Sequence, residues 1–410
     1  MHCAHNSKKS VAVCRTNIII DGKYGFFAGH FLTRDGIESI IKRYIRHKNI
    51  LYKFGGTAMD KPWKKNLISI TPYVAGEQPK LADAIKLNAN ENPYPPSPKV
   101  AEAIHNFDAS SLKKYPDATA SGLRRKIAEH FGLTPDCVFA GNGSDDVLAL
   151  SFRAFFNSGK PILYPDITYS FYPVWCDLLD IPYETIPVDD NFKIDPEDYS
   201  RPNGGVVIPN PNAPTSIGEG REFVEKLLEE NRDVIVIIDE AYVDFSNYSA
   251  VELIKKYDNL LVVQTTSKSR SLAGMRVGMA MGNPELIAVL EAVKDSYNSY
   301  PLDSVAQAAA EASFDDDEYF RSTVEKVKLT RDRSIQRLEK LGFTCAESGT
   351  NFIFCTHEKY KAKEIFEHLK TKGVFIRYFK LPRIDNHLRI TVGTDAEMDR
   401  LFTELEAFIK

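Results

Sequence analysis

The sequence predicts an α/β fold: a mainly parallel central sheet with helices on both faces, joined to a smaller α+β domain. Three observations predict it. The runs Val206-Val207-Ile208, Val234-Ile235-Val236-Ile237-Ile238 and Leu260-Leu261-Val262-Val263 are apolar without alternation, as strands covered on both faces must be. Amphipathic segments of helical spacing lie between such runs, which is the rhythm of a parallel sheet. From about residue 315 that rhythm gives way to one long charged helix and several short strands.

A chain of 410 residues holds a large core and more than one domain. Its apolar and charged fractions, 43% and 26%, are those of an ordinary globular protein. A net charge of −4 gives no electrostatic reason for a nucleic-acid or anionic-membrane partner. No apolar run approaches the roughly 18 residues that a membrane span needs. The six cysteines are scattered, without Cys-x-x-Cys pairs or a histidine cluster at ligand spacing. They read as reduced thiols of a cytoplasmic protein, and no metal is expected.

Residues 1–58 stand apart. They carry 10 Lys and Arg against 3 Asp and Glu, while the whole chain is acidic. Ile37, Ile40, Ile41, Tyr44 and Ile45 have helical spacing among Lys42, Arg43, Arg46 and Lys48. A basic targeting helix, a small nucleic-acid-binding appendage and a leader foreign to the native protein compete as readings. The leader is favoured. Gly55-Gly56 stand just before Met59, and their codons can spell a purine-rich ribosome-binding sequence, so translation is expected to start at Met59.

Residues 59–100 are expected to form an N-terminal arm, opening over 61–67, and part of the small domain. The stretch from Leu87-Asn88-Ala89-Asn90-Glu91-Asn92 to Pro93-Tyr94-Pro95-Pro96-Ser97-Pro98 has too many prolines for a helix. It is held extended, and Tyr94 reads equally as an aromatic placed against a ligand and as a packed loop tyrosine. The large domain is placed at 101–314. Helices are expected over 98–106 and 123–131. In Val138-Phe139-Ala140-Gly141-Asn142-Gly143-Ser144-Asp145 a strand runs through two glycines into a helix start. Such a start leaves backbone N–H groups open to an anion. A strand at 161–165 is expected to lead straight into a helix starting within 168–172. The turn Asn210-Pro211-Asn212-Ala213-Pro214 follows another strand, before a helix at 222–231. The small domain is placed at 315–410, with helices at 317–341, 362–372 and from 396, and strands at 343–345, 351–355, 374–378 and 388–392. Residues 66–98 are expected to pack with it.

Parallel sheets bind ligands at the carboxyl ends of their strands. Asp239 ends a very apolar strand, where a carboxylate calls for a cation. Lys268, in Thr265-Thr266-Ser267-Lys268-Ser269-Arg270, closely follows the end of another strand. A desolvated amine can lose its proton and form an imine with a carbonyl. Taken singly, these residues read equally as a surface lysine, helix caps and turn residues. With Asn212, the Gly143-Ser144 cradle and the phenols of Tyr169 and Tyr242, they describe a pocket for an aromatic aldehyde phosphate with a protonatable ring nitrogen. That molecule is pyridoxal 5′-phosphate (PLP).

From about residue 61 onward the chain resembles the fold-type I PLP-dependent aminotransferases, and among them the histidinol-phosphate aminotransferase family. The resemblance is carried by Leu87-Asn88-Ala89-Asn90-Glu91-Asn92-Pro93-Tyr94, Tyr115-Pro116-Asp117, Gly141-Asn142-Gly143-Ser144-Asp145, Asp239-Glu240-Ala241-Tyr242, Ser267-Lys268 with Arg276, and Leu388-Arg389-Ile390-Thr391-Val392-Gly393-Thr394. It implies that Lys268 links covalently to PLP and moves the proton between Cα and C4′. It implies that Asp239 pairs with the pyridinium nitrogen, that Tyr242 bonds the ring oxygen O3′ and that Tyr169 stacks on the ring. Gly143, Ser144 and Asp145 would hold the phosphate with Arg276 and with Thr265 or Ser267. Tyr115 would reach that phosphate from the other subunit of a homodimer. Arg389 would bind the carboxylate of glutamate or 2-oxoglutarate, with Arg377 and Tyr94 toward the phosphate of histidinol phosphate. Asn351 is a further candidate for substrate contact. Two positions depart from the family pattern. Ala213 stands where an asparagine contacts O3′, and Asn212 is expected to take its place; Ser216 stands for a glycine. An aromatic aminotransferase, a threonine-phosphate decarboxylase and a PLP-binding regulator are the competing readings.

Overall fold

The computed structural model describes residues 62–74, 76–79 and 83–409. The leader expected over 1–58 and the start at Met59 lie outside the described residues. One unit of the chain ends at Ser69 and contains a 3-10 turn, Pro62–Asn66. The other runs from Ile70 to the end and carries the remaining described elements.

A two-residue strand, β1 (Ile85–Lys86), leads through the proline strap to α1 (Pro98–His105). Ser97 caps α1 by accepting from the Lys99 N–H, and Pro98 takes the first helical position, where no donor is lost. Next come α2 (Ser121–Phe131), β2 (Val138–Gly141), α3 (Ser144–Phe155), β3 (Ile162–Pro165), α4 (Tyr172–Leu179), β4 (Tyr183–Ile186), β5 (Val206–Pro209), α5 (Arg221–Glu230), β6 (Val236–Asp239), β7 (Leu260–Thr265) and β8 (Gly278–Gly282). Strands β2 to β8 form one sheet in the order β2-β8-β7-β6-β5-β3-β4. It is parallel except for β8, which runs against both neighbours.

Alternate strand residues fill two separate cores. Val206, Ile208, Val236, Ile238, Leu260 and Val262 enter one, and Val207, Ile237, Leu261 and Val263 the other. All ten are buried, which is why the runs show no polar alternation. The helix after β3 starts at Tyr172, at the end of the span expected for its start. Residues 168–171 form a turn, because Pro173 is tolerated only in the first turn of a helix.

The chain continues through α6 (Pro284–Tyr297), α7 (Ser304–Phe314), α8 (Asp317–Lys340), β9 (Phe343–Cys345), β10 (Phe352–His357), α9 (Ala362–Thr371), β11 (Val374–Phe375), β12 (Arg377–Tyr378), β13 (Leu388–Thr391) and α10 (Asp395–Ile409). Helix α8 buries Val324, Val327, Arg331, Ser334 and Leu338, one stripe at helical spacing; Arg331 spends its buried guanidinium on the Phe245 and Thr350 carbonyls, and none of the helix's other charged residues is buried. An antiparallel sheet, β12-β13-β10-β9, forms the smaller layer. The single strand expected over 374–378 is two strands. The chain changes partner at buried Ile376: β11 pairs in parallel with β1, whereas β12 pairs with β13. The start of the strap is thereby fastened to the C-terminal part. Among the described residues no helix is long and apolar enough to cross a membrane, and no group of three or more His, Cys, Asp or Glu could hold a metal ion.

Candidate active site

A cavity of about 220 Å³ opens beyond the carboxyl ends of β5, β6 and β7, where Pro209, Asp239 and Thr265 line it. Its floor is Asp239. The Tyr172 hydroxyl donates to Oδ2 at 2.7 Å and the Ala241 N–H to Oδ1 at 3.3 Å. Neither donor is charged, and burial pushes the carboxyl up to about 6. Lys268 lines the same cavity, with its amine 5.7 Å from the centre of the Tyr242 ring. Its loop is gripped from the proline strap: the Asn92 amide donates to the carbonyls of Lys268 and Ser269 at 3.0 and 3.1 Å.

An anion cradle lies at the start of α3. Gly143 has φ +84, and a Cβ there would meet Arg276 Nη2 at 2.5 Å, so the guanidinium lies directly against the glycine turn. Arg276 is itself left-handed, with φ +53, and pairs with Asp145 at 3.2 Å. Thr265 donates its hydroxyl proton to Ser267 Oγ at 2.9 Å, and both line the cavity beside Ser144. Tyr169 donates to the second Asp145 oxygen at 2.8 Å, which fixes its ring at the cavity wall.

The opposite wall comes from β12, β13 and the strap. Arg389 is half-buried; its Nη2 donates to the Asn88 carbonyl at 3.1 Å, while its buried Nε–H has no partner among the described residues. Burial lowers its pKa. The buried Asn88 Oδ1 is also without a partner. Arg377 and Phe379 stand beside it in the lining. A guanidinium with an unused buried donor, lining the same cavity as Lys268 and Asp239, has the chemistry to receive a compact anion.

Residues 82–405 match the family model described as aminotransferase class I and II. The chain belongs to that family. It is 51% identical over 353 residues to the histidinol-phosphate aminotransferase of Acinetobacter baumannii (strain SDF), covering 85% of this chain and 98% of that one. The enzyme of the same name from Clostridium acetobutylicum is 51% identical over 351 residues, 86% of this chain and 100% of that one. Among solved structures, histidinol-phosphate aminotransferase from Sinorhizobium meliloti in complex with pyridoxal-5'-phosphate superposes with a TM-score of 0.73 at 25% identity, covering 79% of this chain and 90% of that one.

In this aminotransferase the cavity gathers Ser144, Asp145, Tyr169, Asp239, Tyr242, Thr265, Ser267, Lys268, Arg276, Arg377 and Arg389, with Gly143 at its edge. Four sequence candidates lie elsewhere. Asn212 is buried in the turn after β5, where its amide donates to the Ile167 carbonyl and Thr215 Oγ1 and its oxygen accepts from Thr168. Both its amide hydrogens are spent there, and Ala213 lines the cavity instead. Ser216 adopts the left-handed φ of +70 that its glycine-like position requires, and its hydroxyl donates to the Glu347 carbonyl at 2.8 Å. Asn351 is buried behind Asn90, donating to its carbonyl at 3.0 Å. Tyr94 packs against the small core with the Lys326 amine 5.4 Å from its ring, so the prolines aim it away from this cavity. Tyr115 is 81% exposed and stacks on Tyr300 at 4.7 Å.

The sequence reading missed Tyr73, Asn88, Asn90, Thr168 and Phe379 in the lining, and Tyr172 and Asn92 behind it. Asn88, Asn90 and Asn92 stand in one proline-braced run, three amides at alternate positions, and that spacing was a usable signal. Tyr73 carried none, because it reaches the cavity only through its stacking on Phe171 at 4.5 Å.

Proposed function

We propose that this aminotransferase moves the amino group of L-histidinol phosphate to 2-oxoglutarate, giving imidazole-acetol phosphate and L-glutamate in histidine biosynthesis, with PLP as cofactor. The observation that carries the reading is one cavity with Lys268 and unpaired Asp239 on one wall and Arg377 and Arg389 on the other. The residues fit PLP. Asp239 lacks the cation that a protonated ring nitrogen would provide, and the Gly143 turn with Arg276 suits a phosphate. When bound, the cofactor supplies an electron sink conjugated to the substrate carbon.

The remaining chemistry belongs to the chain. The Lys268 amine takes the proton from the substrate Cα and returns it at C4′. Asp239 keeps the ring nitrogen protonated. Tyr242 would donate to the ring oxygen, and Tyr169 would stack on the ring. Histidinol phosphate carries no carboxylate, so the arginine wall accepts a phosphate in one half-reaction and a carboxylate in the other. Planar guanidinium groups suit both. The relatives at 51% identity are named for histidinol phosphate, which supports the amino donor of this pair. The exposed Tyr115 supports a homodimer in which it completes the phosphate site of the other subunit. A cytoplasmic location belongs to the same reading.

Single half-reactions test it. The visible band of the bound cofactor is expected to convert with L-histidinol phosphate and with L-glutamate, and not with L-phenylalanine or L-threonine phosphate. No conversion with histidinol phosphate would remove the substrate assignment.

A further inference from the structure

We propose that Asn90 is a positioning residue that turns the Tyr242 hydroxyl proton toward the ring oxygen of the cofactor. The inference rests on the PLP reading. Beside Tyr242 the cavity wall includes Ala213, which offers no polar group, and Asn212 has spent its amide on the turn. Asn90, on the strap, is 1% exposed, lines the cavity and has φ +55. An asparagine accepts that left-handed backbone more readily than most residues.

Its amide has one orientation. The Asn90 N–H donates to Thr391 Oγ1 at 3.0 Å, so that hydroxyl must send its own proton elsewhere. It sends it to Asn90 Oδ1 at 3.1 Å. The Asn90 carbonyl is held by the Asn351 amide at 3.0 Å. Nδ2 is therefore the end that faces Tyr242, and it donates to the phenol oxygen at 2.9 Å. A phenol that accepts from Asn90 keeps its proton for another acceptor, and Tyr242 lines the cavity. Thr391 lies on β13, two residues beyond Arg389, so the same amide joins the substrate-binding strand to the cofactor-facing phenol.

Asn90→Gly tests the assignment, because glycine keeps the left-handed backbone while removing the amide. PLP affinity is read by equilibrium dialysis, and the pH midpoint of the bound cofactor's visible band by titration. Loss of one directed hydrogen bond is expected to weaken PLP about tenfold. The midpoint is expected to rise by about half a pH unit or more, since a donor on the ring oxygen draws off negative charge that holds the neighbouring proton. Ala213→Asn in the same background, which places an amide on the cavity wall, is expected to recover at least half of the midpoint shift. Asn90→Asp keeps shape and backbone but makes the phenol donate back to it, and the same losses are expected there. A lower melting temperature with unchanged affinity and midpoint in both variants overturns the proposal and leaves Asn90 a purely structural residue. Failure of Ala213→Asn to move the midpoint back also overturns it. A cofactor band missing from the unsubstituted chain overturns the functional reading and this inference together.

Discussion

In the proposed reaction Asp239 and Lys268 would divide the chemistry between a buried acid and a loop amine. Burial raises the Asp239 carboxyl from 3.8 to about 6, and the neighbouring Glu240 from 4.5 to about 7. Without cofactor, the folded chain keeps protons in those windows that the unfolded chain has already released. Stability therefore falls as pH rises from about 4 to about 7, and the deficit persists above; the Asp239 share is on the order of 3 kcal/mol. Thermal melts of the apoprotein between about pH 5 and pH 8 are expected to show this decline. Asp239→Asn should flatten its lower part, and added PLP should restore stability most at the alkaline end, where the charged carboxylate gains its cation. Lys268→Ala is expected to abolish turnover and the covalent cofactor band while leaving the apoprotein melt within a few degrees of the unsubstituted chain. Arg389→Ala should raise the KM of the glutamate half-reaction about a hundredfold, because a charge-assisted hydrogen bond to the carboxylate is lost. Asp239 and Lys268 were legible in the sequence because each follows an apolar strand, and a polar group there must serve something. Tyr172 was not. It supports Asp239 from a helix two crossovers away, and nothing in its local pattern separates it from an ordinary core tyrosine.

The elements leave little room around the glycine turn before α3. A Cβ on Gly278, at the start of β8, would lie 2.3 Å from Gly143 C and Ser144 N, which are backbone atoms that cannot rotate away. Gly278→Ala is expected to push the α3 start aside and lower PLP affinity at least about tenfold in equilibrium dialysis. Gly220→Ala, with open space around the position, should leave it unchanged. The apolar runs located β2, β3, β5, β6 and β7 because both faces of each are buried; β4, which is half exposed, and β8, which is framed by glycines, were not read as strands. Sequence periodicity also failed where an element's meaning depends on its partner. Val374 to Tyr378 looks continuous, yet it serves two sheets. The proline strap looks like a platform for Tyr94, yet its asparagines do the gripping.

At the scale of the whole molecule, the exposed Tyr115-Tyr300 stack separates a monomer from a dimer with shared sites. Sedimentation is expected to show a particle of twice the chain mass. Refolding an equal mixture of Lys268→Ala and Tyr115→Ala chains tests the sharing directly. Each defect then falls in the same site of a hybrid dimer, and about a quarter of normal activity is expected to return. If Tyr115 acts within its own chain, the mixture gains nothing over its parts.

The reversed strand β8 also sets the order of assembly. Gly141 and Gly278 are register partners, although most of the large sheet lies between them in the chain. Closing so long a loop is slow compared with forming the neighbouring parallel pairs, so this contact belongs late in folding. The turn proposed to hold the phosphate is complete only after it forms. PLP then acts as a clasp on the finished molecule: it should slow unfolding severalfold while leaving the rate of refolding unchanged.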